Sequence, residues 1–175
     1  MVRQTLPAAR EAGSATPRPA FLGLHQRGSR LTLYLDASAL VKAFLSEPGS
    51  DTVLGLLEEA EPRCTSRLSF VECHASFARG QRDERVTSKE VATLIRDFAR
   101  RWSDLIVVEL DGRVGERAGE LAHRYWLRAS DAIHLASALQ LAGDTPPSLR
   151  FACWDRRLWE VAGVVGFTRV PEALA

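Results

Sequence analysis

The 175-residue sequence has no long hydrophobic run, few cysteines and almost no net charge. A helix that crosses a membrane needs about 18 or more consecutive apolar residues, so the sequence predicts no membrane span. Its three cysteines, Cys64, Cys73 and Cys153, form no Cys-x-x-Cys pair, which argues against a disulfide framework or structural zinc and is typical of a reducing cytosol. The net charge of +1 excludes a strongly basic nucleic-acid coat, so any contact with nucleic acid would need a local patch.

The composition changes near residue 31. Residues 1–30 hold several prolines and glycines, no sustained periodicity, and one acidic residue, Glu11, against five arginines. A basic, acid-poor leader is typical of a transit peptide, but this stretch lacks the continuous apolar segment of a secretory signal. We expect residues 1–30 to form a poorly ordered N-terminal extension. We expect residues 31–175 to form one α/β domain, whose size allows a proper hydrophobic core.

Strand-like runs alternate with helical stripes through this domain. The stripe at 91–102 is the clearest, because its apolar residues recur at helical spacing behind a Thr87-x-x-Glu90 capping box. The strand-like runs lie at 31–35, 64–66, 105–110, 149–153 and 165–170. Since strands that alternate with helices form βαβ units, the sequence predicts a central, mostly parallel sheet that is covered by helices on both faces.

One carboxylate lies at the first strand-to-helix junction. Asp36 follows the apolar run 31–35, and the apolar residues after it recur at helical spacing. Asp36 or Ser38 can cap that helix, and capping alone would account for an isolated acid at this position. The same junction is where open α/β sheets bind ligands, outside the carboxyl ends of their strands. Asp36 is therefore either a helix cap or a binding-site residue.

Three more acids occupy similar positions. Glu72 lies near the start of one predicted helix, Asp131 lies at the start of another, and Asp155 follows the run 149–153. Each acid has a structural explanation. Ser69-x-x-Glu72 fits a capping box, and the other two acids suit the positive end of a helix dipole. If the strand ends lie side by side, however, all four acids converge on one pocket.

Converging carboxylates need to be neutralised. Two unit charges ~4 Å apart repel by about 4 kcal/mol at an effective dielectric near 20, so such a cluster is unfavourable without protons or a cation. Carboxylate oxygens select hard ions, which makes Mg²⁺ or Mn²⁺ the natural occupant. Such an ion can activate a bound water as a nucleophile and neutralise charge on a phosphate. The pattern therefore predicts metal-dependent phosphodiester hydrolysis, provided that the acids converge.

Four motifs carry a family resemblance. In chain order they read YLDASALVK, FVECHASFAR, RASDAIHLASAL and FACWDRRL. Together they resemble the PIN-domain ribonucleases, and most closely the VapC toxins of bacterial and archaeal VapBC toxin–antitoxin modules. The resemblance implies a PIN-like three-layer α/β/α sandwich with a central, mostly parallel sheet. It also implies a Mg²⁺- or Mn²⁺-dependent endoribonuclease, the toxin of a type II module, that cleaves RNA with a metal-activated water.

The resemblance also implies roles for individual residues and partners. Asp36, Glu72 and Asp131 match the three family acids that hold the metal, and Asp155 matches a fourth, more variable acid. Ser38 matches a small hydroxyl residue that orients the first acid or a metal-bound water. Family toxins commonly form homodimers and are silenced by a VapB antitoxin. We therefore expect an RNA substrate, a VapB-like antitoxin, a homodimer and a cytoplasmic location.

Two positions depart from the family pattern. Cys153 stands two residues before Asp155, where the family often has Ser or Thr, and a thiol is a poorer hydrogen-bond partner. Trp126 stands where a small turn residue is common. Residues 1–30 have no counterpart, and an RNA-touching arm is the alternative role for them. Three arginines flank the acids and are candidates to bind RNA phosphates or an acidic partner, or are solvated helix ends: Arg128, Arg156 and Arg157.

Other interpretations of the acids stay open. A catalytically silent RNA- or protein-binding module is the main alternative, although such a module would not need to keep four repelling carboxylates. A phosphatase with a nucleophilic aspartate would need a second acid where Ser38 stands. A site made of Cys73 and His74 is disfavoured, because adjacent helical residues point in different directions. His134, one helical turn after Asp131, could approach the pocket, but we expect a packing or surface role for it.

Overall fold

The structure is a computed structural model that describes residues 32–60, 62–143 and 149–174, so the predicted extension 1–30 lies outside the described residues. Within these ranges, five strands are present: Thr32–Leu35 (β1), Arg63–Ser66 (β2), Ile106–Val108 (β3), Leu149–Ala152 (β4) and Thr168–Val170 (β5). Seven helices accompany them: Ala37–Lys42 (α1), Ser50–Glu59 (α2), Leu68–Arg82 (α3), Ser88–Trp102 (α4), Gly112–Tyr125 (α5), Ala129–Ala142 (α6) and Arg156–Val164 (α7). Among the helices of the described part, none has the length and apolarity to cross a membrane.

The five strands form one parallel sheet in the order β3-β2-β1-β4-β5. Strand β1 lies in the middle, where Tyr34 pairs with Cys64 of β2 on one side and with Phe151 of β4 on the other. Strands β2 and β3 extend the sheet on one side of β1, and β4 and β5 extend it on the other side. The strand order therefore reverses between β1 and β4, which is the place where open α/β sheets bind ligands.

The pleat of β1 divides the hydrophobic core into two parts. Leu33 and Leu35 point to one face and pack with Phe77 and Phe98, in a core built with α1 to α4. Tyr34, between them, points to the opposite face and packs in a core built with α5 to α7. Successive strand side chains alternate between faces, so a strand that is buried on both sides reads as a continuous apolar run. The predicted three-layer α/β/α arrangement is confirmed.

Helix capping accounts in part for two of the four acids. The backbone N–H of Ala39 donates to Asp36 at 2.8 Å where α1 begins. The backbone N–H of Leu158 donates to Asp155 at 3.0 Å where α7 begins. Each carboxylate thus replaces a backbone acceptor that the first turn of a helix lacks. Capping also fixes each side chain beside the end of the strand that precedes it.

Capping does not account for the other two acids. The Ser69-x-x-Glu72 capping box is wrong, because α3 begins without a side-chain cap and the Ser69 hydroxyl instead lies 2.7 Å from that of Thr65. Helix α6 also begins without a side-chain cap, with Asp131 in its first turn. The place of Asp131 in the first turn of α6 agrees with the helix-dipole explanation, whereas the position of Glu72 needs another explanation.

Candidate active site

The four acids line one cleft at the carboxyl end of the parallel sheet. Asp36 follows β1 and Asp155 follows β4, whereas Glu72 lies on α3 and Asp131 on α6. Ser38 lines the same cleft, whose volume is about 430 Å³. The chain thus brings together carboxylates from four separate elements. Their role as metal ligands stays a prediction.

Asp36 is almost fully buried, with 4% of its surface exposed. Its carboxylate accepts from the Ser38 hydroxyl, at 2.7 Å to Oδ1, and from the Ala39 N–H. Ser38 Oγ in turn accepts from the backbone N–H of Trp154 at 2.8 Å, so this hydroxyl ties the end of β1 to the end of β4. Burial raises the pKa of the Asp36 carboxyl, while the nearby His134 and the Ser38 hydrogen bond act against that rise. A cation in the cleft would offset the cost of keeping this carboxylate charged.

Glu72 contacts a buried histidine. His134 Nε2 lies 2.8 Å from Glu72 Oε2, and His134 Nδ1 lies 3.0 Å from the hydroxyl oxygen of Tyr34. His134 and Tyr34 are both buried, whereas the Glu72 side chain is 31% exposed. The structure therefore places His134 in the cleft and not at the surface. The available sequence signal was its spacing of three residues from Asp131, which puts both side chains on one face of α6.

Arg128 bridges the other two acids. Its Nε donates to Asp131 Oδ2 at 2.9 Å, and its Nη2 donates to Asp155 Oδ2 at 2.6 Å. Asp131 is buried, but the side chain of Arg128 is 71% exposed. The guanidinium therefore supplies positive charge between two carboxylates from an exposed position. The sequence left Arg128 as a phosphate contact, a partner contact or a solvated helix end. It gave no signal for the contact with Asp155, which is 27 residues away along the chain.

Further cations line the same cleft. Lys42, Arg79 and Arg85 lie there together with Arg128. Lys42 Nζ is 3.4 Å from Glu47 Oε2, and Arg85 Nη1 is 3.1 Å from Glu47 Oε1. The cleft thus has basic side chains beside its carboxylates. Basic side chains position the phosphates of a nucleic acid, while acids of this kind repel them unless a cation is present.

The cysteine–histidine site that the sequence disfavours is indeed not formed by Cys73 and His74. Burial raises the pKa of the Cys73 thiol, which disfavours the reactive thiolate. His74 packs edge-on against Phe70, with ring centroids 4.6 Å apart. Cys153, the departure from the family pattern, accepts the backbone N–H of Asp155 at 3.3 Å. This thiol therefore supports the loop that presents Asp155, in the place where a hydroxyl was expected.

The chemistry of the four acids fits a hard divalent cation. Carboxylates prefer Mg²⁺ and Mn²⁺, and the buried Asp36 would gain most from a neighbouring positive charge. The acids also have protein partners, which are Ser38, His134 and Arg128. Over residues 32–60, 62–143 and 149–174, no three His, Cys, Asp or Glu side chains are already arranged around a common ion position. Two of the acids, Asp131 and Asp155, share Arg128 as a counter-charge in this arrangement.

Comparison with known proteins identifies the protein family of this chain. The sequence profile of the PIN domain matches residues 33–145, and the chain therefore belongs to the PIN-domain family.

Individual relatives narrow this assignment. Ribonuclease VapC49 of Mycobacterium tuberculosis (strain ATCC 25618 / H37Rv) is 39% identical over 142 residues, which cover 81% of this chain and 96% of that protein. The crystal structure of M. tuberculosis VapC20, described as a sarcin-ricin loop cleaving toxin, matches with a TM-score of 0.57 at 16% identity, over 82% of this chain and 99% of that chain. A toxin–antitoxin complex from Klebsiella pneumoniae matches with a TM-score of 0.56 at 17% identity, over 82% and 99% of the two chains. The two structures support the fold alone, and the sequence relationship confirms the resemblance to the VapC ribonucleases.

Proposed function

We propose that this protein is a metal-dependent endoribonuclease, the toxin component of a type II toxin–antitoxin module. The relationship to Ribonuclease VapC49 extends over 96% of that protein, which supports a shared activity on RNA. The observation that carries the proposal is the gathering of carboxylates from β1, α3, α6 and the β4–α7 junction in one cleft. Such a cluster is costly without a cation, and its retention supports catalysis.

In the proposed site, Asp36, Glu72, Asp131 and Asp155 would hold Mg²⁺ or Mn²⁺. When bound, such an ion activates a water molecule and neutralises charge on the phosphate. Ser38 positions Asp36, because its hydroxyl donates to the carboxylate while its oxygen accepts a backbone N–H from the end of β4.

The basic side chains of the cleft would bind the substrate. Lys42 and Arg85 are both oriented by Glu47, and Arg79 lines the cleft beside them. The Arg128 side chain is exposed and contacts Asp131 and Asp155 through ion pairs. It can therefore exchange these carboxylates for an RNA phosphate. Guanidinium groups suit this role because they bind phosphate oxygens in pairs.

Cleavage assays with Asp36→Asn test the function. We expect the purified wild-type protein to cleave RNA when Mg²⁺ or Mn²⁺ is added and to stop when EDTA is added. We expect Asp36→Asn to lower cleavage by at least about 100-fold, the order of loss expected when one group that stabilises the transition state is removed. The fold should persist, because an asparagine oxygen can still accept the Ala39 N–H.

The matched control is Glu116→Gln, which neutralises an exposed acid on α5, away from the cleft, and should cleave like the wild type. An Asp36→Asn protein as active as the wild type would refute the assignment. A wild-type protein that binds RNA without metal-dependent cleavage would favour the silent binding module, for which the Arg128 bridge across two acids is the supporting observation.

The toxin assignment also implies partners and a location. We propose a VapB-like antitoxin, a homodimer and a cytoplasmic location, supported by the VapC relationship and by the fold shared with a chain of the K. pneumoniae toxin–antitoxin complex. Co-expression with the product of a short neighbouring reading frame should yield a co-purified complex that no longer cleaves RNA. Light scattering on the toxin alone should give twice the mass of the chain, and a monomer would contradict the homodimer.

A further inference from the structure

Behind Glu72 lies a buried chain of hydrogen bonds that belongs to three elements. Tyr34 of β1 reaches His134 of α6 at 3.0 Å, and His134 reaches Glu72 of α3 at 2.8 Å. Tyr34 is 0% exposed and His134 is 2% exposed. Only the last member of the chain, Glu72, reaches the cleft with a substantial exposed fraction.

We propose that His134 is a positioning residue of the active site that holds the Glu72 carboxylate in place, and that Tyr34 anchors His134. This inference rests on the proposed function, because it assigns Glu72 to the metal. Glu72 is half-buried on α3 and, unlike Asp36 and Asp155, does not cap a helix. Without His134, no other hydrogen bond described for its carboxylate within residues 32–60, 62–143 and 149–174 would restrain it.

One turn of α6 supplies one acid of the cleft and contacts a second. Asp131 and His134 are three residues apart, so they face the same side of the helix. Asp131 supplies a carboxylate directly, and His134 fixes a second one that the chain places on α3. Tyr34 stacks on Phe151 of the neighbouring strand, with ring centroids 5.1 Å apart, which holds its hydroxyl in a rigid part of the sheet.

The same contacts argue against two other roles for His134. As a metal ligand it would need an unoccupied ring nitrogen, but Nε2 faces Glu72 and Nδ1 faces Tyr34. As a packing residue it would need partners for its buried ring nitrogens, but neither partner would need to be a proposed metal ligand. All three groups are satisfied when Nε2–H donates to Glu72 and Nδ1 shares a hydrogen bond with the Tyr34 hydroxyl, which can act as donor or acceptor.

Three variants separate positioning from packing. His134→Leu keeps an apolar side chain but removes both hydrogen bonds. His134→Gln can still donate an N–H to Glu72. Tyr34→Phe keeps the stacked ring and removes only the hydroxyl. The matched control is His123→Gln, which alters an exposed histidine on α5.

The first readout is Mn²⁺ affinity, measured by titration calorimetry without RNA. Loss of a partner that orients a metal ligand typically weakens metal binding by about 10- to 100-fold, and we expect this loss in His134→Leu. We expect His134→Gln to recover most of the affinity and Tyr34→Phe to show a smaller loss, of about threefold or more. His123→Gln should match the wild type.

The second readout is RNA cleavage, in which His134→Leu should lower kcat with little change in KM, because His134 does not face the phosphates. Mn²⁺ affinity and kcat within twofold of the wild type in His134→Leu, or no recovery in His134→Gln, would overturn the inference. If His134→Leu does not fold, Tyr34→Phe decides, and an unchanged Mn²⁺ affinity there overturns it. A wild-type protein that neither binds Mn²⁺ nor cleaves RNA would instead mark failure of the proposed function.

Discussion

At the scale of single residues, Trp126 has a backbone conformation that suits glycine. It ends α5 with φ 50° and ψ 44°, in the left-handed region, where helices often place a glycine. A bulky residue there carries strain of roughly 1–2 kcal/mol, because its Cβ approaches the following carbonyl oxygen. Its indole is 85% exposed, so little burial of apolar surface compensates for that strain.

We therefore expect Trp126→Gly to stabilise the protein. Relief of the strain should exceed the ~0.4–1 kcal/mol that a glycine costs through the greater freedom of the unfolded chain. The net gain should be up to about 1 kcal/mol, or roughly 2–4 °C in Tm for a chain of this size. Thermal unfolding followed by circular dichroism measures it. Trp126→Ala is the control, since it removes the indole but keeps the Cβ, and an equal rise in Tm in that variant would contradict the explanation.

At the scale of elements, α4 shows how a local signal sets a helix boundary. Thr87 and Glu90 form the predicted capping box, in which Thr87 Oγ1 accepts from the Glu90 N–H and the Glu90 carboxylate accepts from the Thr87 N–H at 2.7 Å. The buried stripe that follows places Phe98 against Phe44, Phe70 and Trp102. The cap thus begins the helix at the residue that brings its apolar face onto α3.

The capping box predicts a pH dependence of stability. The hydrogen bonds from Thr87 lower the pKa of Glu90 below its usual value. The stabilisation is therefore present above the pKa of the unfolded chain and is lost as pH falls through the lowered folded value. We expect Glu90→Ala to destabilise the protein at pH 7 and to have a smaller effect near pH 3, measured by urea unfolding at both pH values. An effect of equal size at the two pH values would refute a role for the charged carboxylate.

Local and long-range contacts explain which parts of the site were predictable from sequence. The position of Asp36 was predictable because a strand, an acid and a helix follow each other within a few residues. The contacts of Glu72 were not predictable from sequence, because its partner His134 is 62 residues away along the chain. The local Ser69 pattern instead indicated a capping box that does not form. The Arg128 bridge to Asp155 spans 27 residues and depends likewise on how α6 and β4 meet.

At the scale of the whole molecule, the sheet order determines why the acids meet. Strand β1 lies between β2 and β4. Because the three strands are parallel, the segments that follow them all begin at the carboxyl end of the sheet. The N-terminal turn of helix α6 lies at the same end of the sheet. The fold thereby places several carboxylates close to the buried Asp36, which lowers the free energy of unfolding. A bound cation would raise it again.

This balance predicts that divalent cations stabilise the folded protein. A ligand that binds only the folded state at 100 times its Kd adds about 2.7 kcal/mol, which corresponds to a rise in Tm of roughly 5–10 °C at this chain length. We expect that rise when Mn²⁺ is added to metal-free wild-type protein, followed by calorimetry. In Asp36→Asn the rise should be largely lost, whereas the metal-free Tm should equal or exceed that of the wild type, because a neutral amide is cheaper to bury than a carboxylate. A full Mn²⁺-dependent rise in Asp36→Asn would mean that the cation binds elsewhere, and a lower metal-free Tm would mean that the Asp36 charge is already compensated by the protein itself.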